Sequence, residues 1–388
     1  MTAPIVIVGG GLAAGTAVSE LRDRGHHGDV VVLAEEAHVP YERPPLSKGF
    51  LVGEKDAGST YVHPPDWYAE HDVDLRTGVR VERVDPGAHQ VLTSAGEALA
   101  YSSLLLATGA RPRRLPLEPT NDVQVGYLRT LDDAETLRTL LGDGRRLLVV
   151  GGGWIGLEVA ASARQMGTAV TIVEPAEQPL LAVLGTEIGA RFAAAHRGHG
   201  VDLRTRTGLD GLDGGAAVLS DGSRVDVDAV LIGIGVVPND DLAREAGLAT
   251  DNGVLVDAGL RTSDPDVYAA GDVANIEHPV LGEQVRVEHW QNAIDQGRAV
   301  ARSQLGETVS FAELPYFFTD QYDLGMEYFG HVGMRGFDDL QIESGESDDA
   351  FACFWSRGDR LVAAMHVNQW DRSDELRARV QDGWALGD

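Results

Sequence analysis

The same kind of unit occurs twice in this chain of 388 residues, once over residues 3–36 and again over residues 146–175. Each reads as a short apolar strand, a glycine turn, an amphipathic helix and a second apolar strand that ends at an acidic residue. A βαβ unit of this kind implies parallel strands, because the helix returns the chain to the end of the sheet where it began. Two copies therefore predict an α/β chain with two parallel-sheet domains.

The glycine spacing in both units indicates that they bind dinucleotides. In such a turn the first glycine permits a tight bend, and the second lets the backbone approach a pyrophosphate at the helix amino terminus, where free N–H groups favour anions. An acid about 20 residues later accepts hydrogen bonds from ribose hydroxyls. The alternative is an ordinary glycine turn followed by a solvent-facing acid. The residues that carry this prediction are Gly9, Gly11, Ala14 and Glu35 in the first unit and Gly151, Gly153, Gly156 and Glu174 in the second.

Two dinucleotide sites on one chain predict two different nucleotides. FAD and NAD(H) are the natural pair, because a hydride donor needs an acceptor. Glu174 can accept a hydrogen bond from a ribose 2′-OH and repels a 2′-phosphate, and no arginine follows it within residues 174–181. The sequence therefore favours NADH over NADPH.

Composition excludes several other classes of protein. Cys353 is the only cysteine, which rules out an intramolecular disulfide, a Cys-x-x-Cys redox pair and a cysteine-ligated iron–sulfur site. The formal net charge of −28 argues against binding to nucleic acid or to an anionic membrane. His331 and His366 have no partners at metal-ligand spacing, so no metal site is predicted. Without a leader-like start or an apolar run of membrane length, the predicted location is the cytoplasm.

Strand and turn patterns outside the two units complete a prediction of three domains. Residues 309–388 are rich in aromatic side chains and predict a small α+β domain, a β sheet followed by a terminal helix.

Five motifs in a fixed order, "RPPLSK", "ATGARP", "GGGWIGLE", "GIGVVPN" and "YAAGDVA", give the chain a family resemblance. It resembles the FAD/NAD-dependent pyridine nucleotide reductases, and most of all their oxygenase-coupled ferredoxin reductase branch, with apoptosis-inducing-factor-like proteins as close relatives. The resemblance covers residues 1–310, and the C-terminal region is similar to the interface domain of that branch. It implies two Rossmann-like domains that bind FAD and NAD, followed by a small α+β interface domain. In that arrangement residues 1–114 together with 245–308 are expected to form a discontinuous FAD-binding domain, residues 115–244 the NAD-binding domain and residues 309–388 the interface domain.

Lys48, one of only two lysines in the chain, closes the motif "RPPLSK". The resemblance implies that it lies beside N5 of the flavin and pairs with Glu158, which closes "GGGWIGLE". A fixed cation there would stabilise the negative charge that a flavin gains with a hydride. Pro44 and Pro45 predict an extended backbone before Lys48. The alternative is a surface lysine without a role.

The same resemblance implies further cofactor contacts. Arg43 and Arg129 are similar to arginines that contact FAD, and Val81 to a residue whose backbone meets the adenine. Asp272 resembles an acid that binds the ribityl or phosphate part of the flavin chain. Trp154 either covers the flavin face until nicotinamide displaces it or is a packing residue. The other implied contacts are Ala13, Ala107, Thr108, Gly109, Arg111, Ile155, Gly235 and, at the start of a helix facing the pyrimidine end of the flavin, Glu288, His289 and Trp290.

These features together predict an NADH-dependent flavoprotein reductase that passes single electrons to a ferredoxin-type iron–sulfur protein, serving an oxygenase or P450. Ferredoxins are usually acidic, so docking on a chain of this charge requires a local basic patch. The resemblance implies Arg298 and Arg302, with Arg43, as candidates, because they fall near the flavin ring in that family's arrangement. Two alternatives stay open. One is an NADH oxidase or quinone-type reductase, and the other is an apoptosis-inducing-factor-like flavoprotein that acts by binding. A homodimer is also left open.

Overall fold

The first parallel sheet is built from strands at both ends of a long stretch of sequence. The computed structural model describes residues 3–117, 122–333, 335–347 and 349–385. Apolar, largely β-branched runs such as Ile5–Val8 are buried along their whole length, which suits strands covered on both faces. In sheet order the strands are Val267–Ala269, Ser103–Leu106, Ile5–Val8, Val30–Ala34 and Val73–Thr77, all parallel.

Two helices pack closely together on this sheet, Leu12–Asp23 and Trp290–Gln304. Their close approach depends on Gly297, because a Cβ there would lie 2.8 Å from the carbonyl oxygen of Ala13. Helix Trp290–Gln304, although far away in sequence, therefore lies beside the glycine turn of the first unit. The other elements of this region are the helix Pro65–Glu70 and the strands Val81–Asp85, Gln90–Thr93, Ala98–Ala100, Val254–Val256, Ala274–His278 and Glu283–Val285.

The second parallel sheet contains the second glycine unit. In sheet order its strands are Asp202–Thr205, Ala169–Glu174, Arg146–Val150, Ala229–Ile232 and Gln124–Gly126. The helices of this region are Leu131–Thr139, Trp154–Gln165, Leu181–Leu184 and Thr186–Gly198, and the antiparallel strands are Leu209–Asp213, Ala216–Leu219 and Arg224–Asp226. The short helix Asp241–Glu245 instead packs against strand Val81–Asp85 of the first region.

The chain passes between the two parallel sheets along one antiparallel pair of strands, Ala110–Pro112 and Val236–Pro238. Asn239 fixes this crossing through two hydrogen bonds to Thr108. Its side-chain nitrogen Nδ2 donates to the backbone carbonyl oxygen of Thr108 at 2.8 Å, and its backbone carbonyl oxygen accepts from the Thr108 hydroxyl at 2.7 Å. The motifs "ATGARP" and "GIGVVPN" therefore lie side by side although they are far apart in sequence.

The C-terminal sheet is antiparallel and carries one helix, Ser373–Ala385. Cys353 is fully buried in this sheet, and burial raises the pKa of its thiol to about 12, which makes it unreactive at neutral pH. In sheet order the strands are Tyr316–Gln321, Leu324–Gly330, Arg360–Val367, Phe351–Arg357 and Asp339–Ser344.

The predicted fold class, two Rossmann-like sheets and a small C-terminal α+β region, is confirmed. One local expectation was wrong: Pro44–Ser47 is a 3₁₀ helix and not an extended segment. The fixed φ of proline suits the first positions of a helical turn as well as an extended chain, and here the first two positions of the turn are prolines. None of the helices in the described ranges combines the length and apolar character that a membrane crossing requires.

Candidate functional site

One large cavity, of about 1480 Å³, is lined by residues of both parallel-sheet regions and of the C-terminal sheet. Pockets for drug-sized ligands usually measure about 300–1,000 Å³, so this volume suits an extended ligand such as a dinucleotide. The cavity begins at the carboxyl end of the first sheet, where ligands of open α/β sheets bind.

The first glycine turn forms the floor of this cavity. Gly9 has φ +125°, and a Cβ at this position would lie 2.1 Å from the carbonyl oxygen of Ala107, so the fold itself requires glycine. Gly11 has φ −92°, which any residue can adopt, and a Cβ there would meet nothing within 4 Å. The fold therefore does not explain Gly11. A pyrophosphate seated on the amino terminus of helix Leu12–Asp23 does explain it.

Charged side chains cross the cavity beside this turn. A nitrogen of Arg129, Nη2, lies 2.6 Å from Oδ2 of Asp272, and Arg286 donates to the Asp272 carbonyl oxygen at 3.1 Å. Arg43 donates to the Arg129 carbonyl oxygen and, at 2.9 Å, to Oε1 of Glu36. Arg43 thus already has acceptors inside the protein, and its place in a docking patch stays a prediction.

Several buried nitrogen atoms around the cavity have no hydrogen-bond partner in the protein. Among the described residues, Nε of Arg129, Nε of Arg286 and Nδ1 of His289 are buried without a hydrogen-bond partner. Burial lowers the pKa of His289 to about 4, so its ring is neutral at physiological pH. Buried donors are normally satisfied, and FAD offers several phosphate, ribityl and ring acceptors. The residues present therefore fit this cofactor.

Glu35 and Val81 line the cavity on the side where the adenosine of FAD is expected. Glu35 follows the strand Val30–Ala34 directly, and its side chain is 68% exposed with Arg80 at 3.4 Å as its nearest cation. Val81 is buried at the start of its strand. The carboxylate of Glu35 is therefore accessible to a ribose.

The predicted ion pair forms on the opposite side of the cavity. Nζ of Lys48 lies 2.7 Å from Oε1 of Glu158, although the two residues are 110 positions apart. Two hydroxyl groups also donate to this carboxylate, that of Ser47 to Oε2 at 2.6 Å and that of Thr319 to Oε1 at 2.5 Å. Glu158 is only 4% exposed, and these three donors compensate for the loss of water around its charge.

Aromatic side chains form the wall above this pair. Phe318 lies with its ring 5.4 Å from Nζ of Lys48 and packs edge-to-face with Trp290, while Phe317 packs edge-to-face with Trp154 at 4.9 Å. Trp154 also contacts Phe192 at 6.0 Å. Trp154 therefore lines the cavity and packs at the same time, so the geometry accommodates both interpretations of this residue.

The second glycine turn has the same construction as the first, with one glycine that the fold requires and another that faces open space. A Cβ on Gly151 would lie 2.3 Å from the carbonyl oxygen of Gly233, whereas a Cβ on Gly153 would meet nothing within 4 Å. The carboxylate of Glu174 accepts hydrogen bonds from the backbone N–H groups of Gly152 at 2.7 Å and Ala176 at 2.8 Å, which fixes its position. The second turn therefore also leaves room for a phosphate group.

Most of the residues predicted for the site line the cavity, but not all. Those that line it are Gly9, Gly11, Ala13, Glu35, Arg43, Lys48, Val81, Ala107, Thr108, Gly109, Arg111, Arg129, Trp154, Ile155, Glu158, Asp272, Glu288, His289 and Trp290. Those outside its lining are Ala14, Gly151, Gly153, Gly156, Glu174 and Gly235. The helix predicted to begin at Glu288 begins at Trp290, and Glu288 instead pairs with Arg286 at 2.7 Å.

Sequence reasoning missed several residues of the site. Asn239 stands in the quoted motif "GIGVVPN", so its role could have been considered. Arg286 stands just before the expected contacts Glu288 to Trp290, and Phe317, Phe318 and Thr319 lie in the region similar to the interface domain. Neither signal pointed to these residues individually. His331, which the sequence considered only as a metal ligand, also lines the cavity. No group of three His, Cys, Asp or Glu side chains in the described ranges is arranged to hold a metal ion.

Known proteins share this architecture over nearly the whole chain. The reductase component of an anthranilate 1,2-dioxygenase system, a ferredoxin–NAD(+) reductase from Burkholderia cepacia, is 40% identical over 370 residues, covering 94% of this chain and 91% of that protein. Rhodocoxin reductase from Rhodococcus erythropolis is 38% identical over 381 residues, covering 97% and 88%. A chain in the crystal structure of the covalent putidaredoxin reductase–putidaredoxin complex is similar with a TM-score of 0.93 at 36% identity, covering 99% of this chain and 93% of that one.

Two family descriptions account for most of the sequence. Residues 316–384 match the family described as reductase C-terminal, which corresponds to the C-terminal sheet and its helix. Residues 3–297 match the family described as pyridine nucleotide-disulphide oxidoreductase, and this match spans both glycine turns and both members of the ion pair. The chain therefore belongs to the pyridine nucleotide-disulphide oxidoreductase family.

Proposed function

We propose that this protein is an NADH-dependent flavoprotein reductase that passes electrons from NADH through FAD to a ferredoxin-type iron–sulfur protein of an oxygenase or P450 system. The observation that carries the proposal is the Lys48–Glu158 ion pair, which lies where two dinucleotide-binding folds meet. The relatives support it by name, since one is a ferredoxin–NAD(+) reductase component and another was crystallised joined covalently to putidaredoxin. When bound, FAD supplies the chemistry that accepts a hydride and releases single electrons.

The first sheet region would hold FAD. We assign the pyrophosphate to the turn at Gly11 and the adenosine ribose to Glu35, with Arg129 and Asp272 beside the rest of the chain. The residues from His289 into the following helix would face the flavin ring, where the amino-terminal helix dipole favours negative charge. Under this proposal residues 1–114 and 245–308 form the FAD-binding domain, residues 115–244 bind NADH, and residues 309–388 form the interface domain.

The ion pair would act by holding a cation in place and not by transferring a proton. Lys48 is held at 2.7 Å by a buried carboxylate, so its charge is oriented before the substrate arrives. Glu174 would bind the 2′-OH of NADH in the second unit and repel the additional phosphate of NADPH. Cys353 is buried in the C-terminal sheet, so electrons do not leave through a thiol.

The partner would dock on the helix Trp290–Gln304, next to the strand Tyr316–Gln321. Arg298 is exposed about 12 Å along this helix from Trp290, whereas Arg302 is about 18 Å away. Arg302 also pairs with Glu307 at 3.0 Å, which neutralises part of its charge.

A second exposed cation lies near Arg298. Arg377 is exposed, and its guanidinium lies over the ring of Tyr316. Burial and the negative charge of Glu313 raise the pKa of Asp295, whereas a hydrogen bond from Gln291 and the positive charges of Arg298 and Arg377 act to lower it. Both cations therefore lie near this carboxylate. We therefore favour Arg298 with Arg377 as the docking patch.

Arg298→Glu should raise the KM for the ferredoxin about tenfold at low salt, because an acidic partner would meet a reversed charge, and the difference should shrink as salt screens it. The measurement is NADH-dependent ferredoxin reduction at several ionic strengths. Arg145→Glu makes the same charge change at an exposed position beside the amino-terminal end of strand Arg146–Val150, away from the cavity, and is the control. Equal effects of the two variants would contradict the docking site.

The function itself is tested by NADH-dependent cytochrome c reduction with purified, FAD-loaded protein, with and without a ferredoxin from the same organism. Reduction is expected to depend strongly on the ferredoxin. Equally fast NADH consumption without it would instead identify an oxidase or small-acceptor reductase. A flavin that is bleached by NADH and stays reduced with every acceptor would identify a protein that acts by binding.

A further inference from the structure

A row of buried polar side chains leads away from the ion pair into the C-terminal sheet. Thr319, Gln321 and His196 are each at most 1% exposed, which is unusual for polar groups and requires that they satisfy one another. Nε2 of Gln321 lies 3.2 Å from Oγ1 of Thr319, and Oε1 of Gln321 lies 2.9 Å from Nε2 of His196. The hydroxyl of Tyr322 lies 3.2 Å from the other ring nitrogen of His196.

The carboxylate at one end fixes the direction of every hydrogen bond in this row. Glu158 holds Lys48 as its counter-ion, so its carboxylate can only accept, and the Thr319 hydroxyl must donate to it. A hydroxyl that donates its one proton must accept from Gln321, which turns the amide NH₂ toward Thr319. The amide oxygen of Gln321 then faces His196, which must donate from Nε2.

The state of His196 agrees with this assignment. Burial lowers the pKa of His196 to about 4, so the ring is neutral at physiological pH and carries one N–H. That hydrogen is on Nε2, which leaves Nδ1 to accept from the hydroxyl of Tyr322. In the opposite orientation the Thr319 hydroxyl would donate its proton to Gln321. It would then present only lone pairs to the Glu158 carboxylate, which is repulsive.

We infer that Thr319, Gln321, His196 and Tyr322 form a one-directional hydrogen-bond chain that positions the Glu158 carboxylate and, through it, Lys48. Thr319 and Lys48 share the same oxygen, Oε1, so the hydroxyl restrains the atom on which the lysine is held. This inference rests on the proposed function, since it concerns the aim of Lys48 toward bound flavin. All four members are positioning residues, because each acts through Glu158.

The hydrogen-bond chain also joins two regions of the fold that together build the site, the second sheet region and the C-terminal sheet. His196 lies in helix Thr186–Gly198 of the second sheet region, whereas Thr319 and Gln321 lie in the first strand of the C-terminal sheet and Tyr322 follows that strand. Thr319 and Gln321 are two positions apart, so both point to the same face of their strand, toward Glu158 and His196. The C-terminal sheet therefore contributes directly to the geometry of the ion pair.

Thr319→Val tests the inference, because it keeps the shape of the side chain and removes the hydroxyl. In the FAD-loaded protein, the rate constant for flavin reduction by NADH should fall about tenfold, the size of effect expected for a lost hydrogen bond to a charged group, while the dissociation constant for NADH stays unchanged. Thr319→Ser restores the hydroxyl and should restore the rate. His196→Leu should slow reduction, and His196→Gln, which can still donate to the Gln321 oxygen, should rescue it.

A second readout does not depend on activity. Lys48 and Lys55 are the only lysines, so ¹³C labelling of lysine Cε gives two NMR signals, which Lys55→Arg assigns. Thr319→Val should shift the Lys48 signal and leave the Lys55 signal in place. The inference is overturned if Thr319→Val changes neither the rate nor the Lys48 signal. It is also overturned if Thr319→Ser is as slow as Thr319→Val and both lose the same thermal stability, which would mark a packing role.

These readouts separate the inference from the proposed function. They use only NADH, FAD and the protein, so a protein that reduces its flavin but no ferredoxin would refute the proposed partner and leave the hydrogen-bond chain standing. If the native protein reduces a ferredoxin normally but Thr319→Val leaves the Lys48 signal and the rate of flavin reduction unchanged, the hydrogen-bond chain is refuted and the proposed function stands.

Discussion

Replacing Lys48 by alanine should slow the reduction of bound FAD by NADH about 100-fold, the usual cost of removing one preorganised charged group from a site where charge develops. Nζ of Lys48 lies 2.7 Å from Oε1 of Glu158, and its side chain is only 20% exposed. Water therefore cannot easily replace the lost cation. The measurement is stopped-flow absorbance of the flavin after mixing with excess NADH.

Lys55→Ala is the matched control for this experiment, because it removes the only other lysine, which is exposed. Removing Lys48 also leaves the buried Glu158 without a counter-ion, which costs stability. Lys48→Ala combined with Glu158→Gln removes both charges, and it should remain slow although its stability recovers. A Lys48→Ala protein that reduces its flavin as fast as the Lys55→Ala protein would rule out the proposed role.

Three glycine-to-alanine variants should separate folding, FAD binding and NADH binding, each with a large effect. Gly9→Ala should not fold, because its Cβ would lie 2.1 Å from a backbone oxygen at a φ of +125°. Gly11→Ala should fold but lose affinity for FAD at least about tenfold, since its methyl group occupies space where the pyrophosphate backbone contact is expected. Gly153→Ala should keep FAD and lose affinity for NADH instead. The measurements are thermal unfolding without cofactor, FAD titration and NADH titration.

The pair Gly11→Ala and Gly153→Ala controls itself, because both positions have open space in the structure and an unstrained φ. If Gly11→Ala is as unstable without FAD as Gly9→Ala, the glycine serves the fold and not the cofactor. If Gly153→Ala weakens FAD rather than NADH, the assignment of the two units is reversed.

The parts of this molecule that sequence could predict are those fixed by local pattern. Apolar runs bounded by glycine turns predicted both parallel sheets, because strand burial and turn conformation depend on neighbouring residues. The pairing of Lys48 with Glu158 was predicted as well, but by family resemblance, since no spacing rule joins residues 110 positions apart.

The parts that sequence could not predict depend on how distant elements pack. Thr319 gains its role only because the C-terminal sheet lies against helix Trp154–Gln165. The extended backbone predicted at Pro44 and Pro45 was wrong for another reason. The φ angle that proline imposes occurs in extended and helical backbone alike, so the prolines could not tell a 3₁₀ turn from an extended segment.

The burial of Cys353 gives the protein a practical property. A thiol that is fully enclosed in the C-terminal sheet, with a pKa raised to about 12, offers almost no thiolate to a maleimide or disulfide reagent at neutral pH. A single cysteine introduced on the surface, for example at the exposed Arg298, would then be the one position that reacts. Spin labels, fluorophores or cross-linkers can therefore be attached to the native chain at chosen points without first removing a cysteine.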